Sequence, residues 1–400
     1  MVRRLERALI WVLVFGLGFS ITLTEASLGA LALCWFARLR ERGRWRSLSF
    51  PLLAPCLALA AATIVAALAS ARPVASLTSG KDLLRLAAIY LVLHAVENTR
   101  GAFRFLSLLT ASFGAASTFA IAQGIFCPRQ PSWFPLLARY FERCDRVHAF
   151  FSIYMTLAGV LSVGLLAVLP RLLPGSDARR WWLVPTCAAE AVALAMTYVR
   201  GAWVGVGAGV LALATMARRA RWLPLTALLA AAAVFLVAAP SLRQRAASIV
   251  DPTDPTVRER LLIWRSGLAM VREHPLTGIG PGRVKDLYER YAHPEALRMR
   301  RGHLHDTPLQ ILVERGPAGL LAWLWLFAAF FITGGRALAH FGPDQVRERG
   351  LVMGGLAATV GFLVAGLFEY NFGDSEVVLV QYCVMATTLA AAAPEPTVRA

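Results

Sequence analysis

The sequence contains few charged residues and very little lysine. Charged side chains make up 16% of the 400 residues, whereas 57% are hydrophobic. Only Lys81 and Lys285 are lysine among the 41 basic residues, so the formal net charge of +17 is carried almost entirely by arginine. A soluble domain has about 25% charged residues. The composition therefore excludes a soluble protein and indicates a polytopic membrane protein.

Apolar runs recur along the whole chain. A transmembrane helix needs roughly 20 apolar residues, and runs such as LLAWLWLFAAFF are apolar on every face, unlike the alternating strands of a membrane barrel. The sequence predicts an all-α polytopic fold of about twelve spans, near residues 8–21, 24–37, 50–70, 83–97, 102–126, 149–169, 181–198, 201–217, 222–239, 307–333, 351–370 and 375–392. The first span is expected to remain as an anchor, because the second follows it at once.

Short basic loops orient these spans. RLRERGRWR, ENTRGAFR, DARRW and ARRARW follow the second, fourth, sixth and eighth spans, and the positive-inside rule places them in the cytoplasm. Both termini are then cytoplasmic. We expect one integrated membrane domain, in which residues 1–239 form nine spans, residues 240–306 form an external helical insert, and residues 307–400 form three spans and a short tail.

Few residues suit a metal site or a disulfide scaffold. The six cysteines are too few for such a scaffold, and Cys127 and Cys144 share one predicted external loop, where they form a disulfide or stay free. Asp251 and Asp254 are expected to be turn and helix-cap residues instead of metal ligands. We predict no metal and no cofactor, and the dispersed charge argues against a nucleic-acid partner.

The external insert is expected to form two helices around the glycine-rich turn LTGIGPG. The first helix should carry an apolar stripe made of Val257, Leu261, Trp264, Leu268 and Val271. Arg258, Arg265 and Arg272 recur every seven residues and so share a neighbouring face. This cationic face is a candidate anion site. The alternative is an amphipathic cap that rests on anionic lipid headgroups.

The segment YVRGAWVG places Arg200 at a membrane boundary. An unpaired guanidinium there costs about 2–3 kcal/mol or more. Arg200 should therefore be paired or functional, with Glu190 as the nearest candidate partner in the sequence. The alternative is that its side chain extends to the membrane surface.

Two histidines stand at the mouth of the tenth span. His303 and His305 follow Arg300 and Arg301 directly. A histidine can take a proton from a hydroxyl near neutral pH, and arginines bind phosphate groups. The alternative is that the histidines cap the helix or contact solvent, and Asp306 before Thr307-Pro308 is itself a candidate N-cap.

The segment HDTPLQILVERGPAGLL resembles the signature of the O-antigen ligase and O-antigen polymerase superfamily. That signature is a histidine, usually followed by Asn, Ser or Gln, then nine residues and Gly-x-x-Gly. His305, Gly316 and Gly319 match it, while Asp306 departs from the usual second residue. RGAWVG at 200–205 and the run at 260–282 also resemble the family, as does a chain of many helices with one large external loop before the signature.

The resemblance implies a glycosyltransferase of GT-C-like architecture in the inner membrane of a Gram-negative bacterium, with its active site facing the periplasm. The donor would be O-antigen on undecaprenyl diphosphate, and the acceptor a hydroxyl of the lipid A-core, among membrane lipids and without a metal. In-line displacement would invert the sugar. The expected roles are catalysis for His305 and His303, diphosphate binding for Arg200, Arg258, Arg265, Arg300 and Arg301, and support from Asp306, Arg272 and Glu314.

Three other functions remain open from the sequence. An O-antigen polymerase would use the same donor and a second lipid-linked glycan as acceptor. A protein O-oligosaccharyltransferase would transfer the glycan to a protein. A lipid or anion transporter would place ionisable residues near the centres of several spans, whereas here they lie mostly at the external ends.

Overall fold

A computed structural model of the chain describes residues 2–42, 49–127, 146–173, 180–217, 240–249, 251 and 253–393. These residues form helices joined by turns, and no strand occurs among them. The all-helical fold class predicted from the sequence is thereby confirmed, and the tight packing of several helices, described below, is typical of a helical membrane protein.

The α-helices are α1 (Val2–Phe19), α2 (Ile21–Arg42), α3 (Leu53–Leu68), α4 (Pro73–Gly80), α5 (Ala87–Val96), α6 (Thr99–Phe126), α7 (Tyr154–Val168), α8 (Leu183–Met196), α9 (Arg200–Met216), α10 (Pro240–Ala247), α11 (Pro255–Glu273), α12 (Val284–Tyr291), α13 (Thr307–His340), α14 (Val346–Ala365) and α15 (Ser375–Ala392). Short 3₁₀ segments precede α5 and α8 and follow α7.

Five helical segments in the described part are long and apolar enough to cross a membrane. They are Thr99–Phe126, Tyr154–Leu172, Thr307–His340, Val346–Ala365 and Ser375–Ala392. Helices α3, α8 and α9 are apolar but shorter. The expected span at 83–97 is a 3₁₀ turn, Lys81–Leu86, followed by α5 of only 10 residues, which rises about 15 Å. The expected span at 222–239 lies outside the described residues, and the count of twelve stays a prediction.

Helices α7, α14 and α15 form the centre of the bundle. Between 72% and 83% of the residues in their most apolar windows are buried, against 39% for α13. Small residues allow the close contact, because a Cβ on Gly354 of α14 would lie 2.1 Å from the Ala167 carbonyl oxygen of α7. Such small-residue contacts are typical of membrane helices. Helix α13 is therefore peripheral, with one side open to the surroundings.

The insert packs onto the first turns of α13. Helix α11 begins where predicted, since Asp254 caps it by accepting hydrogen bonds from the Thr256 and Val257 N–H groups. Ile263 and Met270 of α11 and Tyr288 of α12 are buried in one apolar cluster with Val313 of α13. This cluster fixes the insert over the end of the bundle where α13 begins.

The apolar stripe predicted for α11 is right only in part, since Trp264 and Val271 pack against the buried cluster of the insert. Leu261 and Leu268 are exposed, at 46% and 47%, whereas Leu262, Ile263 and Met270 are buried. The fully buried residues Ile263 and Met270 each lie one residue before Trp264 and Val271. The buried face of α11 matters because it decides which arginines face the bundle.

Candidate active site

His305 lies in a sharp turn immediately before α13. Its φ is +52°, a left-handed conformation that costs a non-glycine residue about 1–2 kcal/mol. Asp306 begins the helix as its N-cap and accepts a hydrogen bond of 2.7 Å from the Leu309 N–H. The Thr307 N–H donates to the Gly366 carbonyl over 2.7 Å. The strained turn is thus fixed by its own helix and by the loop after α14.

Glu369, from that loop, connects His305 to an arginine of the insert. Its Oε2 lies 2.9 Å from Nδ1 of His305, and its Oε1 accepts a hydrogen bond of 2.7 Å from Nη2 of Arg260. All three side chains are less than one fifth exposed. Because a carboxylate faces Nδ1, we assign the ring proton to that nitrogen, which leaves Nε2 as an acceptor. This arrangement can take a proton from a substrate hydroxyl.

His303 packs beside His305, with ring centroids 4.2 Å apart. Burial, and then the proximity of His305, lowers the pKa of His303 to about 4, so the ring is neutral at pH 7. Its Nδ1 has no hydrogen-bond partner among the described residues. Arg301 lies close enough to oppose protonation of His303, although its guanidinium is paired with Glu259. His303 is therefore a neutral side chain whose Nδ1 is buried without a hydrogen-bond partner in the described part of the chain.

Three arginines from separate parts of the chain, Arg146, Arg200 and Arg260, lie close enough to Arg245 to repel it, and we call these four residues the arginine cluster. Burial, and then repulsion from Arg200 and Arg146, lowers the pKa of Arg245, and Arg260 acts in the same direction. Asp254 offsets part of this repulsion. The cluster carries more positive than negative charge, and Arg260 joins it to Glu369 and His305.

Arg200 is held at the start of α9 by the insert. Its guanidinium donates hydrogen bonds of 2.6 Å to both the carbonyl and the hydroxyl of Ser248 and one of 3.0 Å to Asp254. Burial alone would raise the pKa of Asp254, but Arg200 outweighs it and lowers the value to about 2. Asp254 is therefore both helix cap and ion-pair partner. The suggested partner Glu190 is wrong, since its carboxylate is fully buried without a hydrogen bond in the described part of the chain.

The other predicted arginines lie elsewhere. Arg258 is 67% exposed and paired with Glu295, and Arg265 and Arg272 are also on the exposed face of α11. Arg300 is 82% exposed and paired with Glu289. Of the predicted donor ligands, the structure brings Arg200 to the arginine cluster and Arg301 to the histidines, and it places the rest on the outer surface.

Sequence analysis missed Arg260 because it favoured the seven-residue arginine repeat. Arg260 lies about 200° around the helix from Arg258, at about 100° per residue. The signal that could have found it is its spacing to Ile263, Gly267 and Met270, which share the buried face. Glu369 gave no local signal, since 64 residues separate it from His305.

The glycine-rich turn binds a break in α13. Gly316 has φ +66° and interrupts the helix, and Pro317 lacks the N–H that would bond the Val313 carbonyl. The Ile279 N–H donates to that carbonyl over 2.9 Å, and the Gly280 N–H donates to the Glu314 carbonyl over 3.1 Å. The turn therefore uses these N–H groups within the fold, where they satisfy the carbonyls freed by the break in α13.

Glu314, predicted as a supporting residue, is buried beneath the same turn. Its Oε1 accepts hydrogen bonds from the Gly282 N–H over 2.9 Å and from the Gln310 amide over 2.8 Å. The side-chain oxygen Oε1 of Gln310 in turn accepts a hydrogen bond of 2.8 Å from the Leu304 N–H, which lies between the two histidines. Glu314 thus supports the histidine turn indirectly, through Gln310.

The cysteine prediction falls partly outside the described residues. Cys127 is disulfide-bonded, whereas Cys34, Cys56, Cys187 and Cys383 are buried free thiols. Cys144 lies outside the described residues. No group of three or more His, Cys, Asp and Glu residues in the described part could hold a metal ion.

The long apolar helices and the polar site at one end of the bundle define a multi-pass membrane protein. Residues 185–324 match a family model described as O-antigen ligase. The match covers about a third of the chain, and over that segment the protein is similar to the O-antigen ligase family, whose members are glycosyltransferase-like enzymes. The matched segment contains Arg200, Arg260, His303 and His305, but not Glu369. No curated protein matches the chain.

Proposed function

We propose that this protein is an O-antigen ligase. It transfers O-antigen polysaccharide from undecaprenyl diphosphate to a hydroxyl of the lipid A-core, on the periplasmic side of a Gram-negative inner membrane and within a GT-C-like arrangement of about twelve spans. The observation that carries the proposal is the group formed by His305, Glu369 and Arg260 beside the arginine cluster. A proton acceptor next to fixed cations suits glycosyl transfer from a diphosphate.

His305 acts on the acceptor. Its Nε2 takes the proton of the hydroxyl as the hydroxyl oxygen attacks the anomeric carbon of the donor, so a C–O bond forms while the bond from that carbon to the phosphate oxygen breaks. Glu369 stabilises the imidazolium that results. His303 is neutral and can hydrogen-bond to a sugar or to the acceptor. In-line attack inverts the configuration at the anomeric carbon.

The arginine cluster acts on the donor. The lipid diphosphate leaves with the electron pair, and fixed guanidinium groups stabilise the negative charge that gathers on its oxygens. Arg245 suits this role because Asp254 is already shared with Arg200 and the surrounding cations repel it. An anion that binds there relieves the repulsion. Arg260 is positioned to couple the acceptor side of the site to the donor side, since it contacts Glu369 and also belongs to the arginine cluster.

Complementation of two defined strains, together with an analysis of glycan on secreted proteins, tests the proposal. The chain should restore polysaccharide-capped lipopolysaccharide in a strain that lacks its O-antigen ligase, and His305→Ala at equal membrane abundance should not. Rescue of a polymerase-deficient strain instead would identify a polymerase. Glycan attached to secreted proteins would identify a protein O-oligosaccharyltransferase. Normal ligation by His305→Ala would remove the role assigned to this histidine.

A reconstituted assay separates transfer from transport. Purified protein in vesicles is given lipid-linked donor and lipid A-core, and both glycan transfer and lipid movement across the bilayer are followed. Lipid movement without transfer would overturn the enzymatic proposal in favour of a transporter. The matched control is Arg265→Ala, on the exposed face of α11, which should transfer glycan at the wild-type rate.

A further inference from the structure

The histidine and the carboxylate of the candidate site lie on two different segments of the chain. His305 belongs to the turn before α13, and Glu369 belongs to the loop that follows α14, 64 residues further along. The contact of 2.9 Å between the two side chains therefore depends on how these segments are held together. Catalysis tolerates little error in such a contact, because a misplacement of about 1 Å can lower a rate about a hundredfold.

Thr307 connects the two segments through its side chain. Its Oγ1 lies 2.9 Å from the backbone carbonyl oxygen of Glu369 and 3.0 Å from Oδ1 of Asn371. A hydroxyl has one proton to donate, so the two acceptors share it. Thr307 is fully buried and follows His305 by two residues. One hydroxyl thus connects the histidine turn to the backbone of the residue that carries the carboxylate.

Asn371 fixes this contact to the last turn of α14. Its Nδ2 donates a hydrogen bond of 2.6 Å to the Phe362 carbonyl, and the residue is only 8% exposed. This bond settles the orientation of the amide, because the opposite orientation would place Oδ1 2.6 Å from a carbonyl oxygen. We call Thr307 and Asn371 the loop clamp. It holds together the start of α13, the end of α14 and the loop that bears Glu369.

The loop clamp opposes strain in the histidine turn. The φ of His305 is +52°, and a residue in this region keeps its conformation only where its surroundings impose it. The Thr307 N–H also donates to the Gly366 carbonyl over 2.7 Å, so both the backbone and the side chain of Thr307 bind the segment after α14. Without the hydroxyl, the Glu369 carbonyl and the Asn371 amide oxygen lose a donor, and the loop is free to shift away from His305.

We propose that Thr307 and Asn371 are positioning residues for the reaction, which set the contact between Glu369 and His305 without touching a substrate. The inference rests on the proposed function for the reaction itself, and it adds the residues that hold its proton acceptor in place. The effect of the clamp falls on the chemical step. Donor binding depends instead on the arginine cluster, so KM for the donor should depend little on the clamp.

The experiment removes the Thr307 hydroxyl from the full-length protein with little change in side-chain size. Thr307→Val should lower kcat about tenfold to a hundredfold and leave KM for the donor within about threefold. Thr307→Ser retains the hydroxyl and should keep kcat within about threefold of wild type. An unchanged kcat for Thr307→Val, or an equal loss in both variants, would overturn the proposal.

Thr359→Val is the matched control for loss of a buried hydroxyl. Thr359 lies in α14 and is fully buried, and its hydroxyl donates to the Gly355 carbonyl over 2.8 Å and accepts from the Gln381 amide over 2.7 Å. It should lower the unfolding midpoint about as much as Thr307→Val while kcat stays within about twofold of wild type. A parallel loss of kcat in the control would show that the effect at Thr307 is only a loss of stability.

A second substitution tests whether Thr307 acts through Glu369. In a Glu369→Gln background the charged contact is already removed, so Thr307→Val should lower kcat by less than about threefold further. Independent effects that multiply in full would refute action through this contact.

Hydrogen–deuterium exchange tests the clamp without an activity assay. Thr307→Val should speed exchange of the backbone amides of residues 366–371 about tenfold, and Thr359→Val should not. Unchanged exchange in Thr307→Val would refute the clamp, and faster exchange with normal kcat would refute its role in the reaction. If wild type transfers no glycan while exchange responds as expected, the proposed function fails and the loop clamp stands.

Discussion

Replacing Glu369 with glutamine should lower kcat by about a thousandfold while KM changes little. Glu369 contacts His305 at 2.9 Å and Arg260 at 2.7 Å, and glutamine keeps the size of the side chain but removes its charge. An imidazolium and a carboxylate about 4 Å apart attract each other by about 4 kcal/mol at a partly buried site. This attraction exists only when His305 has taken the proton, so its loss falls on the transition state, and about 1.4 kcal/mol corresponds to tenfold in rate.

The assay is single-turnover transfer of glycan by purified protein, with the thermal unfolding midpoint measured in parallel. Glu295→Gln is the matched control, because Glu295 also pairs with an arginine at 2.7 Å but is 59% exposed and does not contact His305. We expect its rate to stay within twofold of wild type. A rate for Glu369→Gln within threefold of wild type, in folded protein, would refute the assignment of His305 and Glu369 as an acid–base pair.

Three further predictions use other parts of the site. Arg245→Ala should raise the apparent KM for donor about tenfold, since a charged hydrogen bond contributes about 1.5–3 kcal/mol. Arg265→Ala should leave this KM within twofold of wild type. Equal effects of the two variants in donor titrations would contradict the role of the arginine cluster in donor binding. Gly316→Ala should lower the free energy of unfolding by about 1–3 kcal/mol, because φ is positive there and the new Cβ would lie 2.1 Å from the Leu276 carbonyl oxygen. Gly335→Ala in the same helix meets open space and should be neutral or stabilising. Similar unfolding midpoints for the two variants would argue against the docked turn. His303 is neutral in the fold with a pKa of about 4, against an ordinary value of 6.5. The free energy of unfolding should therefore fall as the pH drops from about 6.5 toward 4, by roughly 2 kcal/mol at pH 5, and it should fall less for His303→Gln. Identical pH dependence of unfolding for the two proteins would show that the ring is not held neutral.

Local patterns in the sequence predicted local structure well. The caps at Asp254 and Asp306 each depend on a few neighbouring residues, and each occurs as predicted. The all-helical class followed from the length of the apolar runs and from their being apolar on every face. The apolar runs at 83–97 and 181–198 indicated helices correctly, but they overstated helix length, since α5 and α8 have 10 and 14 residues.

The candidate site depends on contacts that no local pattern reports. Arg260 meets Glu369 across 109 residues of sequence, and Arg200 meets Asp254 across 54. Such pairings are set by how the insert and the loop after α14 pack over α13. Helical periodicity alone could not decide which face of α11 is buried, because both faces carry arginine and apolar residues at suitable spacing. That single ambiguity moved the predicted donor site to Arg258 and Arg265.

The left-handed backbone of His305 affects how any replacement at this position must be interpreted. Asparagine adopts positive φ several times more readily than most residues, whereas a β-branched residue there is a rare outlier. His305→Asn therefore removes the imidazole with little change in backbone preference, and His305→Val would also disturb the turn that Asp306 and Thr307 hold in place. Comparing the two separates the chemical contribution of the ring from the mechanical contribution of the turn.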